Sequence, residues 1–199
     1  RSRGLGDVYK RQEVQYDETL PSIREGLTLE AGAPLEIPVV TGFLGRGGKT
    51  GAITTLGRGG SDLTATVIGA ALGVPEVQVW KDVDGVLSAD PRIVPEAGPV
   101  GHLTYDEATE LAFFGATVLH PQSMRPAMLV DGLDIRVKNS YNREAPGTLI
   151  SRERHGEDSL LTSIVLKRDV TVLDIQSTRM LGQYGFMAKL FDALSLIHI

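Results

Sequence analysis

Cysteine is absent from this 199-residue chain, so it can supply no disulfide framework, no thiolate nucleophile and no cysteine-ligated zinc. Histidine is scarce. The four, His102, His120, His155 and His198, never fall three or four residues apart, as two ligands on one helix face would, and no metal ligands are expected. No apolar run approaches the ~20 residues that a spanning helix needs, which argues against a membrane protein. Basic residues are in deficit, 20 Lys and Arg against 25 Asp and Glu, for a net charge of −5. That balance lacks the electrostatic footprint of a nucleic-acid or polybasic membrane binder. Glycine is plentiful, with 23 residues beside 10 prolines, so many turns are expected. Hydrophobic residues make up 42%, and a chain of this length can withdraw roughly 70% of its unfolded surface from water. A soluble globular protein is the expectation.

The pattern along the chain alternates between strand and helix. Residues 17–30 favour helix despite Pro21, and residues 37–43 read as a buried strand running into a glycine-rich bend. Residues 52–56 favour β-structure. From Ser61 the apolar residues Leu63, Val67, Ala70 and Ala71 recur at helical spacing. Residues 76–80 alternate as a strand that leads into an acidic loop from Lys81 to Pro95. Thr104 and Glu107 match a capping box, opening a helix to Phe114, and a further helix follows Pro121. Residues 134–139 and 148–150 are short strands. This order predicts an α/β fold with a mostly parallel sheet covered by helices. A charged linker over 151–159 ends that domain, after which 160–166 and 170–175 look β-like and 184–194 helical. Residues 1–12 and 194–199 read as non-native or disordered tails, and the chain as a fragment.

Three motifs are candidates for chemistry. Gly42 to Thr50 looks like a phosphate-binding loop, but the glycine needed five positions before Gly48 is Phe43, and a strand follows where a helix should; a hairpin is the plainer reading. The run Thr55-Leu56-Gly57-Arg58-Gly59-Gly60-Ser61-Asp62 is built like an anion site. Its glycines allow close backbone approach, Ser61 stands where an N-cap would be, the helix start carries about half a positive charge, and Arg58 adds a forked donor. A capped helix with a solvated arginine fits the same residues. The third motif, Asp82, Asp84, Gly85 and then Asp90-Pro91-Arg92, lies at the C-terminal end of a predicted strand, where open α/β sheets bind ligands. Its spacing is wrong for a calcium loop, and a solvated turn is the alternative. His120, before Pro121, reads as a helix-start residue.

Together the segments 55–62, 80–92, 114–121 and 180–186 resemble aspartate kinases, and Trp80 to Gly85 with His120 to Pro126 resemble the monofunctional plant and algal type. The resemblance spans residues 16–191. It implies the second half of an amino-acid-kinase domain over 13–150, a three-layer α/β fold, and the start of a ferredoxin-like ACT regulatory domain over 160–193. By this resemblance Asp62 is catalytic, orienting a lysine of an upstream motif that the chain lacks, so the chain alone should be inactive. Phe43, Arg58 and Ser61 bind L-aspartate, with Arg58 clamping a carboxylate. Lys81, Asp82, Leu87, Arg92 and Thr117 take ATP-contacting positions, although Leu87 and Thr117 stand where bacterial members commonly have tyrosine and lysine. Met180, Gln183, Gly185, Phe186 and Met187 would hold an amino-acid effector, lysine. ATP with Mg2+ would be the co-substrate complex, the full-length protein a homo-oligomer through its ACT domains, and its location the cytoplasm or the plastid stroma. Other amino-acid kinases, acting on glutamate or N-acetylglutamate, and a non-catalytic amino-acid sensor are the alternatives.

Overall fold

The computed structural model describes residues 13–27, 37–116, 118–154, 161–172, 174–175 and 185–195. It forms two compact units, residues 1–167 and 168–199. In the first, α1 (Tyr16–Leu27) precedes a hairpin of β1 (Leu44–Arg46) and β2 (Ile53–Thr55). There follow α2 (Gly60–Leu72), β3 (Glu76–Lys81), β4 (His102–Thr104), α3 (Tyr105–Phe113), α4 (Pro121–Leu129), β5 (Asp134–Asn139) and β6 (Thr148–Ser151). The second unit contributes α5 (Phe186–Ser195). Among the described residues no helix is long and apolar enough to cross a membrane.

The main sheet has the order β3-β5-β6-β4. Its outer pairs, β3 with β5 and β4 with β6, are parallel, and the central β5–β6 pair is antiparallel. Alternation decides which face is buried: Val77 and Val79 of β3 sit opposite Ile135 and Val137 of β5, all four buried, whereas Gln78 and Trp80 point outward and are exposed. Helix α2 packs Ala70 into the same core as this face, and Leu63, Val67 and Ala71, the other positions its periodicity selects, are also buried. Each fully buried valine, leucine or isoleucine side chain contributes about 1.5–3 kcal/mol. Gly69 lets α2 approach the sheet closely, since a Cβ there would lie 2.2 Å from Val77 Cγ2. On its other side α2 meets α4, where the buried Thr66 hydroxyl donates to the Ser123 carbonyl at 2.6 Å.

Local signals account for the helix starts. Thr104 accepts from the Glu107 N–H while the Glu107 carboxylate accepts from the Thr104 N–H at 2.8 Å, so the expected capping box opens α3, which ends at Phe113 with Phe114 as its C-cap. Helix α4 begins at Pro121, with His120 as N-cap accepting the Gln122 N–H through Nδ1 at 3.3 Å.

Three expectations are corrected. The strand expected over 37–43 does not form: Ile37 and Val39 are 85% and 95% exposed, and the strand lies further on, at Leu44–Arg46. An apolar run becomes a strand only where a partner satisfies its backbone, and the partner β2 pairs with Leu44 onward. Ser61 is not the N-cap of α2. Gly59 caps it in a left-handed conformation, φ 70°, and a Cβ on Gly59 would fall 2.5 Å from His120 Cβ, so the close approach fixes the helix start one residue before Ser61. The β-like stretches at 160–166 and 170–175 form no strand among their described residues. There Ile164, Leu166, Val170, Val172 and Ile175 remain exposed, and no strand among the described residues pairs with them.

The first unit extends to residue 167. Arg152 pairs with Asp131, Arg154 pairs with Glu107, and the Ile164 N–H donates to the Ser88 carbonyl at 2.8 Å, which holds residues up to 167 on the first unit. Helix α5 runs through Leu194, where a tail was expected to begin.

Candidate active site

The glycine-rich stretch before β2 closes a hairpin turn, with the Gly51 N–H donating to the Gly47 carbonyl at 2.7 Å. No helix follows Lys49, so the phosphate-loop reading fails on geometry as it did on spacing. A cleft of about 810 Å3 lies between α1, this hairpin and α2, and its lining includes the apolar residues Ile23, Leu27, Leu44, Leu56 and Val67. None of Arg58, Asp62 or Lys81 lines it. Its lining also carries Glu13, Arg46 and Lys49, whereas the Asp62–Lys81 pair lies elsewhere.

That pair joins the first turn of α2 to the C-terminal end of β3. The turn carrying Arg58 leads through Gly59 into a helix start that no side chain caps. Its free N–H groups and dipole favour an anion, and Arg58, exposed, adds a forked cation. Phe43 stands beside this helix start. Its N–H donates to Thr64 Oγ1 at 3.1 Å, its carbonyl accepts from Leu56, and its ring lies so near Gly60 that a Cβ there would be 2.9 Å from Cδ2. Phe43 holds φ 76°, a left-handed conformation that costs a non-glycine residue about 1–3 kcal/mol and recurs at ligand sites. Gly42 lies against Ser61, 3.2 Å from its Cα when given a Cβ.

Asp62, one residue into the helix beyond Ser61, forms an ion pair with Lys81: Oδ2 and Nζ are 3.5 Å apart, with each side chain 24% exposed. The same ammonium donates to the Val118 carbonyl at 3.1 Å. Asp62 was expected to orient a lysine from outside the chain. Here it engages one that the resemblance assigned to ATP contact.

The acidic loop after β3 is fastened to the sheet. Asp84 Oδ1 accepts from the Asn139 and Asn142 side-chain amides at 2.8 and 3.1 Å, and the Lys81 carbonyl accepts both the N–H and the hydroxyl of Ser140. Thr148 Oγ1 accepts from the Val86 N–H at 2.8 Å and donates to the Val100 carbonyl at 2.6 Å. Gly85, at φ 128°, passes so close that a Cβ would be 2.5 Å from Thr148 Oγ1. Asp82, next to Lys81, is exposed. Leu87 bridges to Pro99, and its carbonyl accepts from Ser163 at 3.0 Å. Arg92 folds back on Asp90 through Nε at 3.0 Å and Nη2 at 2.8 Å, and these hydrogen bonds hold the Asp90 carboxyl below its ordinary range.

The structure thus unites Phe43, Ser61, Asp62 and Lys81 around the start of α2, just after Arg58 and before Asp82. No contact among the described residues joins Leu87 or Arg92 to the Asp62–Lys81 pair. Thr117, Met180 and Gln183 lie outside the described residues, while Gly185, at φ 80°, stands immediately before α5, which begins with Phe186 and Met187. Sequence reasoning passed over Asn139, Ser140, Asn142 and Thr148, which fasten the loop across the sheet. Their only signal is position, at the end of β5 and the start of β6. Among the described residues no group of three or more His, Cys, Asp or Glu could hold a metal ion.

The chain belongs to the amino acid kinase family, whose model matches residues 11–139. Among its relatives, aspartokinase 1, chloroplastic, of Arabidopsis thaliana is 63% identical over 176 residues, 88% of this chain and 31% of the relative. The lysine-sensitive aspartokinase 3 of Escherichia coli is 36% identical over 193 residues, 97% of this chain and 40% of the relative. The chain therefore spans about a third of the length of the plant relatives it matches. Among solved structures, E. coli aspartokinase III in complex with aspartate and ADP superposes with a TM-score of 0.61 at 36% identity, over 79% of this chain and 35% of that one. Clostridium acetobutylicum aspartate kinase does so with a TM-score of 0.57 at 39% identity, over 62% and 28%.

Proposed function

We propose that this chain carries the acceptor-binding part of an aspartate kinase, which transfers the γ-phosphoryl group of ATP to the side-chain carboxylate of L-aspartate. A carboxylate oxygen forms a bond to the γ-phosphorus, the bond to the bridging oxygen of ADP breaks, and the products are 4-phospho-L-aspartate and ADP. The observation that carries this reading is the Asp62–Lys81 pair between the end of β3 and the uncapped start of α2, a start that follows Arg58 in the chain. An anionic acceptor and an anionic donor both need cations and N–H donors there, because this transfer is catalysed by positioning and charge neutralisation. The high identity to plant aspartokinases supports the choice of aspartate over glutamate or N-acetylglutamate.

In this reading Arg58 clamps a carboxylate of aspartate, Phe43 and Ser61 shape the acceptor pocket, and Mg2+ arrives on the phosphates of ATP. Asp82, Leu87, Arg92 and Thr117 serve the nucleotide side. Residues 13–150 belong to the kinase domain, and an ACT regulatory domain begins after the linker. The names of the plant relatives support a plastid location, and a solved E. coli aspartokinase III in complex with lysine and aspartate supports lysine as the effector. Assembly into a homo-oligomer through the ACT domains completes the proposal.

The test uses a chimera in which residues 16–191 replace the matching segment of the Arabidopsis aspartokinase 1. A charge-assisted forked contact is worth about 2–3 kcal/mol, so Arg58→Ala should weaken aspartate binding in calorimetric titration about 30- to 150-fold and leave ATP affinity nearly intact. Unchanged aspartate affinity would remove Arg58, and with it the acceptor pocket, from the account.

A further inference from the structure

We propose that Lys81 is a catalytic residue of this site, the cation that faces the transferring phosphoryl group, and that Asp62 is the residue that aims it. This rests on the functional reading above and assigns Lys81 to the phosphate end of the nucleotide.

Three observations carry it. Lys81 is the last residue of β3, a strand parallel to its neighbour β5, so its side chain leaves the sheet at the edge where ligands of α/β folds bind. Its ammonium is held from two directions, by Asp62 Oδ2 at 3.5 Å from the first turn of α2 and by the Val118 carbonyl at 3.1 Å from the segment before α4. An ammonium has three N–H bonds; one is donated to the Val118 carbonyl, while Asp62 attracts the charge as an ion pair. The remaining donor capacity, on a side chain 24% exposed, is available to a phosphate oxygen. Finally, the backbone of Lys81 is fixed as firmly as its head, because its carbonyl accepts both the N–H of Ser140 at 2.7 Å and its hydroxyl at 2.9 Å. A lysine merely decorating a strand end would be free to rotate into solvent. This one is fixed at both ends beside the uncapped helix start where the acceptor carboxylate is proposed to bind.

The chemistry gives such a cation a purpose. Charge spreads over the equatorial oxygens of the γ-phosphoryl group during transfer, and a donor already in place stabilises it without reorganisation. Asp62 supplies the orientation. Its carboxylate keeps Lys81 pointed across the gap between β3 and α2, and takes no part in bond making.

The experiment compares Lys81→Met and Lys81→Arg with the unmutated chimera. Removing one preorganised donor should lower kcat for aspartate by about 10²- to 10³-fold, with ADP affinity and the aspartate KM within about threefold of the parent. Lys81→Arg, which keeps the charge, should recover a larger share of kcat than Lys81→Met. A methionine variant that turns over within about threefold of the parent overturns the proposal. So does one whose loss of kcat is matched by an equal loss of ADP affinity, which would put Lys81 on the part of the nucleotide that ADP retains. A labelling measurement needs no variant. Acylation of Lys81, followed by mass spectrometry on the unmutated chimera, should be slowed by ADP with aluminium fluoride and aspartate but not by ADP alone, and equal labelling in the two states counts against it. If the unmutated chimera fails to phosphorylate aspartate, the functional reading is what has failed; the Lys81 assignment fails separately, when turnover is present and survives Lys81→Met.

Discussion

Substituting Gly69 by alanine sets two effects of known sign against each other. Gly69 lies inside α2, where alanine is favoured over glycine by about 1 kcal/mol. Against this, the new methyl would sit 2.2 Å from Val77 Cγ2, far inside van der Waals contact, and Val77 is a buried strand residue in register with Ile135. Overpacking of that kind costs about 1–3 kcal/mol, so Gly69→Ala should be neutral to destabilising by about 2 kcal/mol. Val77→Ala alone removes two methyl groups and should cost about 2 kcal/mol. In the double variant the methyl introduced on α2 enters the space that the valine vacates, the clash disappears and the helix-propensity gain remains. The cycle should therefore show a favourable coupling of about 1–3 kcal/mol, measured by urea unfolding of the four chains followed by circular dichroism. Costs that add to within about 0.5 kcal/mol would mean that α2 does not press on β3 at this point. The same closeness carries Asp62 to Lys81, so Gly69→Ala should also lower turnover in the chimera.

Two further outcomes follow from the structure. Burial would raise the Glu107 carboxyl, but the Thr104 N–H and hydroxyl and the Arg154 guanidinium outweigh it and hold the group below its ordinary 4.5. Stability from a carboxyl lowered in this way is complete above 4.5 and is lost as pH falls through the folded value, so Glu107→Gln should be less stable than the parent at neutral pH and converge with it in acid. A Tm difference that stays constant from about pH 6 to 3 would contradict this. Gly185 has φ 80° and open space where a Cβ would stand, so Gly185→Asp introduces strain and a negative charge at the start of α5. Lysine inhibition of the chimera should weaken while uninhibited turnover is retained, and an unaltered inhibition curve would move the effector site elsewhere.

Local chemistry made part of this fold legible in the sequence. The alternation of residues 76–80, the Thr104–Glu107 capping box and Pro121 behind His120 each satisfy their own backbone nearby, and each element forms where expected. The strand expected over 37–43 failed because strand formation depends on a partner, and pairing with β2 begins only at Leu44. Ser61 was misplaced as a cap because the deciding contact, Gly59 against His120, joins residues far apart in sequence. The same limit applies to the site. Arg58, Asp62 and Lys81 could be named from motifs, but the pairing of Asp62 with Lys81 and the clasp of Asp84 by Asn139 and Asn142 arise only when α2, β3 and β5 are packed together.

The central claim is that this segment directs phosphoryl transfer to the carboxylate of aspartate. Hydroxylamine converts an acyl phosphate to a coloured hydroxamate, so the most direct test is hydroxamate formation by the chimera with ATP and, in turn, aspartate, glutamate and N-acetylglutamate. ATP-dependent product is expected with aspartate, strongly reduced by Arg58→Ala, and little with the longer acceptors. No hydroxamate from aspartate by a folded chimera that binds ATP, or a preference for glutamate or N-acetylglutamate, would contradict it.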